Sequence, residues 1–293
     1  MKISRRNALA KLGALAGSTA ALGLANPFKM PEKRIETLDL KGRINHSVCR
    51  WPYNNVSLED LCRASVEIGI KSVEIVGPED WPVLKEYGLS CAMPRAGDIG
   101  LERGFSDPKY HDELEASFKE SIPKVAEAGH DIVILFSGNR DGMDDETGLR
   151  NCEEGIKRII STAERHNVTL CLEPLNSKRN HPDYFVDNTP LGVELCDRIG
   201  SDRFKLLYDI YHMQIMEGDV IQTIRDYHEY IAHYHTGGVP GRNELDESQE
   251  LYWPAIMEAI VETGYDGYVG QEFVPTWDDP IEALRHGVEV CDV

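Results

Sequence analysis

Short apolar runs recur along the chain. Most end at a polar or glycine-containing stretch and lead into a segment with apolar residues at helical spacing. Gly42 to Arg50 predicts a first strand, and Leu58 to Ile68 a helix opened by the cap Ser57. Lys71 to Val76 predicts a second strand, ended by Gly77-Pro78. Glu79 to Tyr87 predicts a short helix stopped by Gly88, and Leu89 to Met93 a third strand. Pro108 to Ala128 predicts a long helix that Pro123 must kink or divide. Asp131 to Ser137 is apolar almost throughout, as a parallel strand covered on both faces is. Leu149 to His166 carries Leu149, Ile156, Ile159, Ile160 and Ala163 at helical spacing. Thr169 to Leu175, Phe204 to Ile210, Tyr230 to His235 and Tyr268 to Phe273 predict the remaining strands. The helices alternating with them are Pro190 to Ile199, Val220 to Tyr227, Leu251 to Thr263 and Pro280 to Val290.

About eight strand–helix units in roughly 250 residues predict an α/β fold, a single-domain (β/α)₈ TIM barrel over residues 42–293. The rival is an open doubly wound sheet, but no glycine-rich dinucleotide fingerprint follows the first strand. Residues 26–41 read as a polar linker. Residues 1–25 differ: Arg5-Arg6 precedes an Ala/Gly-rich apolar stretch that ends near Leu24. That pattern predicts a twin-arginine-type signal peptide, export machinery as a partner, and a periplasmic protein. An uncleaved anchor or an amphipathic N-terminal helix is the alternative. No other stretch is long and apolar enough to span a bilayer, so no membrane insertion is expected after cleavage.

With 293 residues, 41% of them hydrophobic, the chain has core material for one large barrel. A formal net charge of −19 argues against nucleic acid and anionic membranes as partners. The seven cysteines include no CxxC pair, which predicts buried free thiols rather than a structural zinc site. A homo-oligomer is compatible with all of this.

The polar residues closing the last four predicted strands are Glu173, Asp209, His235 and Glu272. In a barrel, strand ends share one rim, and catalytic residues come from several of them. Two glutamates, an aspartate and an imidazole form a hard, oxygen-rich set. It suits one divalent ion, Mn²⁺ or Mg²⁺ first, with Zn²⁺ or Co²⁺ as substitutes. Such an ion acts as a Lewis acid on a hydroxy-carbonyl compound, while the glutamates move protons. Each residue alone has a plainer reading. Asp209 and His212 could start a helix, one of His233 and His235 could be a core histidine, and Glu272 could pair with Arg285. Occurrence on four successive strands is what favours a site.

The segments Leu172-Glu173-Pro174-Leu175-Asn176, Tyr208-Asp209-Ile210-Tyr211-His212, His233-Tyr234-His235-Thr236 with Val239-Pro240-Gly241-Arg242, and Gly267 to Glu272 resemble the xylose isomerase-like barrel superfamily. Within it the chain is most similar to the hydroxypyruvate isomerase group, beside the ketose 3-epimerases. The resemblance covers residues 42–292. It implies that Glu173, Asp209, His235 and Glu272 bind the metal, that Glu173 and Glu272 also transfer protons, and that His212 and Arg242 contact substrate oxygens. One departure is His235, where hydroxypyruvate isomerases tend to carry Gln and the epimerases resemble this chain. The implied substrate is a small sugar or hydroxy-keto acid. A lyase or hydrolase acting on 3-keto-glycosides and a non-catalytic sugar-binding barrel are the alternatives. Trp51, Trp81 and Trp253 are candidates for aromatic walls or for ordinary packing.

Overall fold

A computed structural model describes residues 38–293. The expected signal peptide at 1–25, and all but the last few residues of the expected linker, lie outside that range.

Seven parallel strands form one curled sheet. They are β1 (Asn45–Cys49), β2 (Ser72–Glu74), β3 (Ile132–Leu135), β4 (Thr169–Leu172), β5 (Phe204–Asp209), β6 (Ile231–Thr236) and β7 (Tyr268–Gln271), in the order β2-β1-β7-β6-β5-β4-β3. Residues 89–95 fill the gap between β2 and β3. Toward β2, the Val73 amide donates to the Ser90 carbonyl (3.1 Å) and the Ile75 amide to that of Met93 (2.8 Å). Toward β3, the Ile134 amide donates to the Pro94 carbonyl (3.3 Å). The expected third strand is therefore present as a position in the barrel but not as a ladder. Pro94 has no amide proton and sits where a regular strand would need one.

The helices are α1 (Leu58–Ile68), α2 (Trp81–Glu86), α3 (His111–Glu127), α4 (Asp145–His166), α5 (Thr189–Ile199), α6 (Ile210–Met216), α7 (Val220–Tyr227), α8 (Trp253–Glu262) and α9 (Pro280–Cys291). Local chemistry fixes their ends. Ser57 accepts the Asp60 amide at the start of α1, and Gly69 ends it in the left-handed region (φ 101°). Asp144 caps α4 by accepting the Thr147 amide. Pro108 begins a 3₁₀ turn rather than α3, and Pro123 lies within α3 without dividing it. Burial of Phe118, Ile122 and Val125 on that helix outweighs the one hydrogen bond that the proline removes.

The sheet has two apolar faces. Val133, Leu135, Leu170, Leu172 and Leu206 point out and pack on Phe118, Ile122, Ile156 and Ile159 of α3 and α4. Ile132, Ile134, Cys171 and Leu207 point in, where they meet Met93 and Phe136. All seven cysteines are buried free thiols. No helix among the described residues is long and apolar enough to cross a membrane.

His46 of β1 is buried on the helix side, and neither ring nitrogen has a hydrogen-bond partner. Burial lowers its pKa to about 4 and outweighs Asp292, whose carboxylate is 3.9 Å away. The ring is therefore neutral in the fold and takes a proton more readily when unfolded. Its contribution to stability is complete above about pH 6.5 and is lost as the pH falls toward 4, a linkage of up to ~3 kcal/mol. Denaturant titrations across that window should show the loss, and His46→Gln should flatten the slope.

Candidate active site

The pleat of the strands assembles the site. Side chains two residues apart face the same way. Cys171, Leu207, His233 and Gly270 face the barrel interior, and Glu173, Asp209, His235 and Glu272 follow each of them by two. Register then staggers them around the rim: Asp209 pairs with His235 across β5 and β6, Glu173 follows Leu172, the partner of Leu206, and Glu272 lies two residues beyond Gly270, the partner of His235. One ligand-type atom from each of the four predicted residues lies within 4.8 Å of those of the others, and all four residues are buried.

Local bonds leave specific atoms for the cluster. Asp209 caps α6, its Oδ1 accepting the amides of Tyr211 (2.8 Å) and His212 (3.4 Å). That leaves Oδ2 turned to the site. The Glu173 carbonyl accepts the Tyr184 hydroxyl (3.0 Å), which pins the backbone under its carboxylate. The Trp51 indole donates to Glu272 Oε1 (2.6 Å), and Arg242 donates to Glu272 Oε2 (2.6 Å) and Asp209 Oδ2 (2.7 Å). The guanidinium lies over the rings of Trp51 (5.3 Å) and Tyr211 (5.2 Å). Arg242 adopts φ 61°, and hydrogen bonds from its own amide to Gly238 and from the Val274 amide to its carbonyl hold that conformation.

His212 completes the polar wall. Its Nδ1 accepts the Asn176 amide (3.0 Å), which places the proton of a neutral ring on Nε2. Nε2 is 3.5 Å from Asp209 Oδ2. Burial holds this imidazole well below its usual pKa, and the Arg242 charge adds to the effect. The ring is therefore neutral, and its 3.1 Å approach to Arg242 Nη1 is packing between two donors.

The three acids titrate differently. Burial raises Asp209 to about 7, with Arg242 opposing. Burial also raises Glu173, and the Glu272 charge adds to it. Burial works against ionising Glu272 too, but Arg242 and His235 outweigh it and hold this carboxyl well below its usual range.

These residues fit a divalent cation. Glu173 Oε1 and His235 Nδ1 are buried and have no hydrogen-bond partner. His235 Nδ1 lies 2.7 Å from Glu272 Oε2, out of line for a hydrogen bond, and 3.7 Å from Glu173 Oε1. Hard oxygens with one nitrogen, two of these atoms lacking partners, are the donor set such an ion takes.

Above the cluster is a cavity of about 350 Å³. Its polar side holds Glu173, Glu272, His212 and Arg242, and its apolar side Ile75, Leu101, Ile134 and Phe136. Of the three tryptophans, Trp51 lines this cavity, Trp253 is core, and Trp81 packs edge-on against His130. Glu272 pairs with Arg242, and the ion-pair partner of Arg285 is Glu289. His181, from the long loop after β4, also lines the cavity. Sequence reading passed over it because nothing in that polar loop distinguishes one residue from the next.

Replacing Arg242 leaves two buried carboxylates without their cation. Arg242→Met should lower the stability of chelator-treated protein by about 3–5 kcal/mol in denaturant unfolding.

The sequence matches the family profile described as xylose isomerase-like TIM barrel over residues 62–292. It is 30% identical over 237 residues to a 2-oxo-tetronate isomerase of Cupriavidus necator, covering 76% of this chain and 89% of that protein. It is 35% identical over 233 residues to a putative hydroxypyruvate isomerase of Drosophila melanogaster, covering 75% and 86%. The fold superposes on a 3-keto-D-glucoside 4-epimerase of E. coli with a TM-score of 0.71 at 18% identity, covering 84% and 98%. The chain belongs to the xylose isomerase-like TIM barrel family.

Proposed function

We propose that the protein is a divalent-metal-dependent isomerase or epimerase of a short hydroxy-carbonyl compound, with hydroxylated 2-oxo acids as the first candidates. The observation that carries this reading is the buried cluster of Glu173, Asp209, His235 and Glu272 under a cavity of about 350 Å³. The names of two relatives, a 2-oxo-tetronate isomerase and a putative hydroxypyruvate isomerase, support the substrate class.

Glu173, Asp209, His235 and Glu272 would hold the ion. When bound, it supplies Lewis-acid stabilisation of charge on the substrate oxygens. The residues of the chain do the rest. The glutamates at the ends of β4 and β7 both line the cavity, so one carboxylate can take a proton and its partner can return one. The base removes the carbon-bound proton next to the carbonyl, and the electron pair moves into an enediolate. The acid then returns a proton, either to the opposite face of the same carbon (epimerisation) or to the neighbouring carbon while the hydroxyl proton passes to the former carbonyl oxygen (isomerisation). Arg242 and the neutral His212 orient substrate oxygens, while Leu101, Ile134 and Phe136 exclude water from the apolar side.

Two experiments test this. Glu173→Gln should lower kcat by about 10²–10⁴ on a substrate found by screening 2-oxo acids and ketoses. Proton NMR in D₂O should show an intact isomer carrying one solvent deuteron. Unchanged turnover in Glu173→Gln would exclude the catalytic role, and a released aglycone from a 3-keto-glycoside would indicate elimination instead. Separately, dialysis against a chelator should abolish activity, and Mn²⁺ or Mg²⁺ should restore it; activity indifferent to both would remove the metal from the reaction.

A further inference from the structure

Beneath the cluster lies a second group of polar side chains that the proton transfers do not use. Glu74, the last residue of β2, is fully buried inside the barrel. Two imidazoles face its carboxylate. Oε2 is 3.0 Å from His233 Nε2, and Oε1 is 3.3 Å from His235 Nε2. The Cys49 thiol donates to Oε1 (3.6 Å) and lies 3.5 Å from His235 Nε2.

The surroundings are shaped for this carboxylate. A Cβ on Gly270 would stand 1.8 Å from Glu74 Oε1 and 2.8 Å from His235 Cδ2, so no side chain fits there. The next residue, Ile75, has φ 58°, a costly conformation for a β-branched residue. Successive residues of an extended strand face opposite ways; the turn at Ile75 lets Glu74 stay under the site while Ile75 lines the cavity above.

We propose that Glu74 is a positioning residue: it accepts the Nε2 proton of His235 and so fixes the tautomer and ring orientation that present Nδ1 to the divalent cation. This rests on the metal reading above. A histidine ligand whose other nitrogen donates to a carboxylate is held in one orientation and made more basic. The arrangement of atoms fits: Nε2 faces Glu74 and Cys49, while Nδ1 is unpartnered and faces Glu173 and Glu272. His233 Nε2 approaches the same carboxylate, 3.2 Å from Oε1 and 3.0 Å from Oε2, so the acid sits between two imidazoles. The rival is a second ion, since Cys49, Glu74 and His235 also bring ligand-type atoms within 4.8 Å.

Calorimetric titration of full-length wild type, Glu74→Gln, Glu74→Ala and Gly270→Ala with Mn²⁺ decides, with the visible spectrum of the Co²⁺ forms as second readout. The expected results are one Mn²⁺ per chain in wild type and about 10–100-fold weaker binding in the variants. The Co²⁺ spectrum should change, and circular dichroism should remain that of a folded barrel. Should Glu74→Ala fail to fold, Glu74→Gln, which keeps the volume, carries the test. Affinity within twofold of wild type and an unchanged spectrum in Glu74→Gln would overturn the proposal and leave the metal reading standing. Two Mn²⁺ per chain, one of them lost in Glu74→Ala, would make Glu74 a ligand instead. Wild type that binds no divalent ion would sink both readings.

Discussion

Three carboxylates share one buried cluster, and their mutual repulsion is the constraint around which the site is arranged. Like charges at such separations cannot all stay ionised without cations among them. Arg242 bridges Asp209 and Glu272, and His235 lies beside Glu272 and Glu173. Much of the rim serves this balance. The left-handed backbone at Arg242, its bonds to Gly238 and Val274, and the Trp51 and Tyr211 rings place one guanidinium where two acids need it. A buried ion network of this sort is poor at stabilising a fold and well suited to chemistry, because each charge is already desolvated.

The barrel could be read from the sequence because burial on both faces leaves a plain signature. Ile132 to Phe136 and Leu170 to Leu172 are apolar without interruption, and β3 and β4 are built on them. Helix limits were legible where cap chemistry is strong, as at Ser57 and Gly69. Leu89 to Met93 misled because it has the composition of a strand, whereas ladder pairing also depends on backbone groups, and Pro94 lacks one. The plainer reading of Asp209, as the start of a helix, holds together with its place in the cluster: it caps α6 with one carboxylate oxygen, with no turn between strand and helix.

The site was legible only in part, for a related reason. A polar residue that ends an apolar run stands out in a sequence, and Glu173, Asp209, His235 and Glu272 all do so. A polar residue within a run looks like a solvent-facing alternation. Glu74 in Ser72-Val73-Glu74-Ile75-Val76 has that appearance, yet it is inside the barrel. What distinguishes it is contact across the barrel with β6 and β7, some 160 to 200 residues later, and no local pattern records that. His46 errs in the other direction. It looks like a rim residue beside Arg50 and Trp51, but it packs toward Asp292 on the helix side.

The interrupted ladder between β2 and β3 divides the work of the barrel. The acids and imidazole stand at the ends of β4 to β7, where each strand pairs with the next in a ladder, with one register shift between β5 and β6. The apolar wall of the cavity, with Ile75, Leu101 and Ile134, borders the seam that residues 89–95 fill without a ladder. Natural variation can therefore act on the two halves separately. Changes of bulk along the seam would reshape the cavity without displacing Glu173, Asp209, His235 or Glu272. The shape of the cavity and the arrangement of the buried polar cluster are thus separable properties of one barrel.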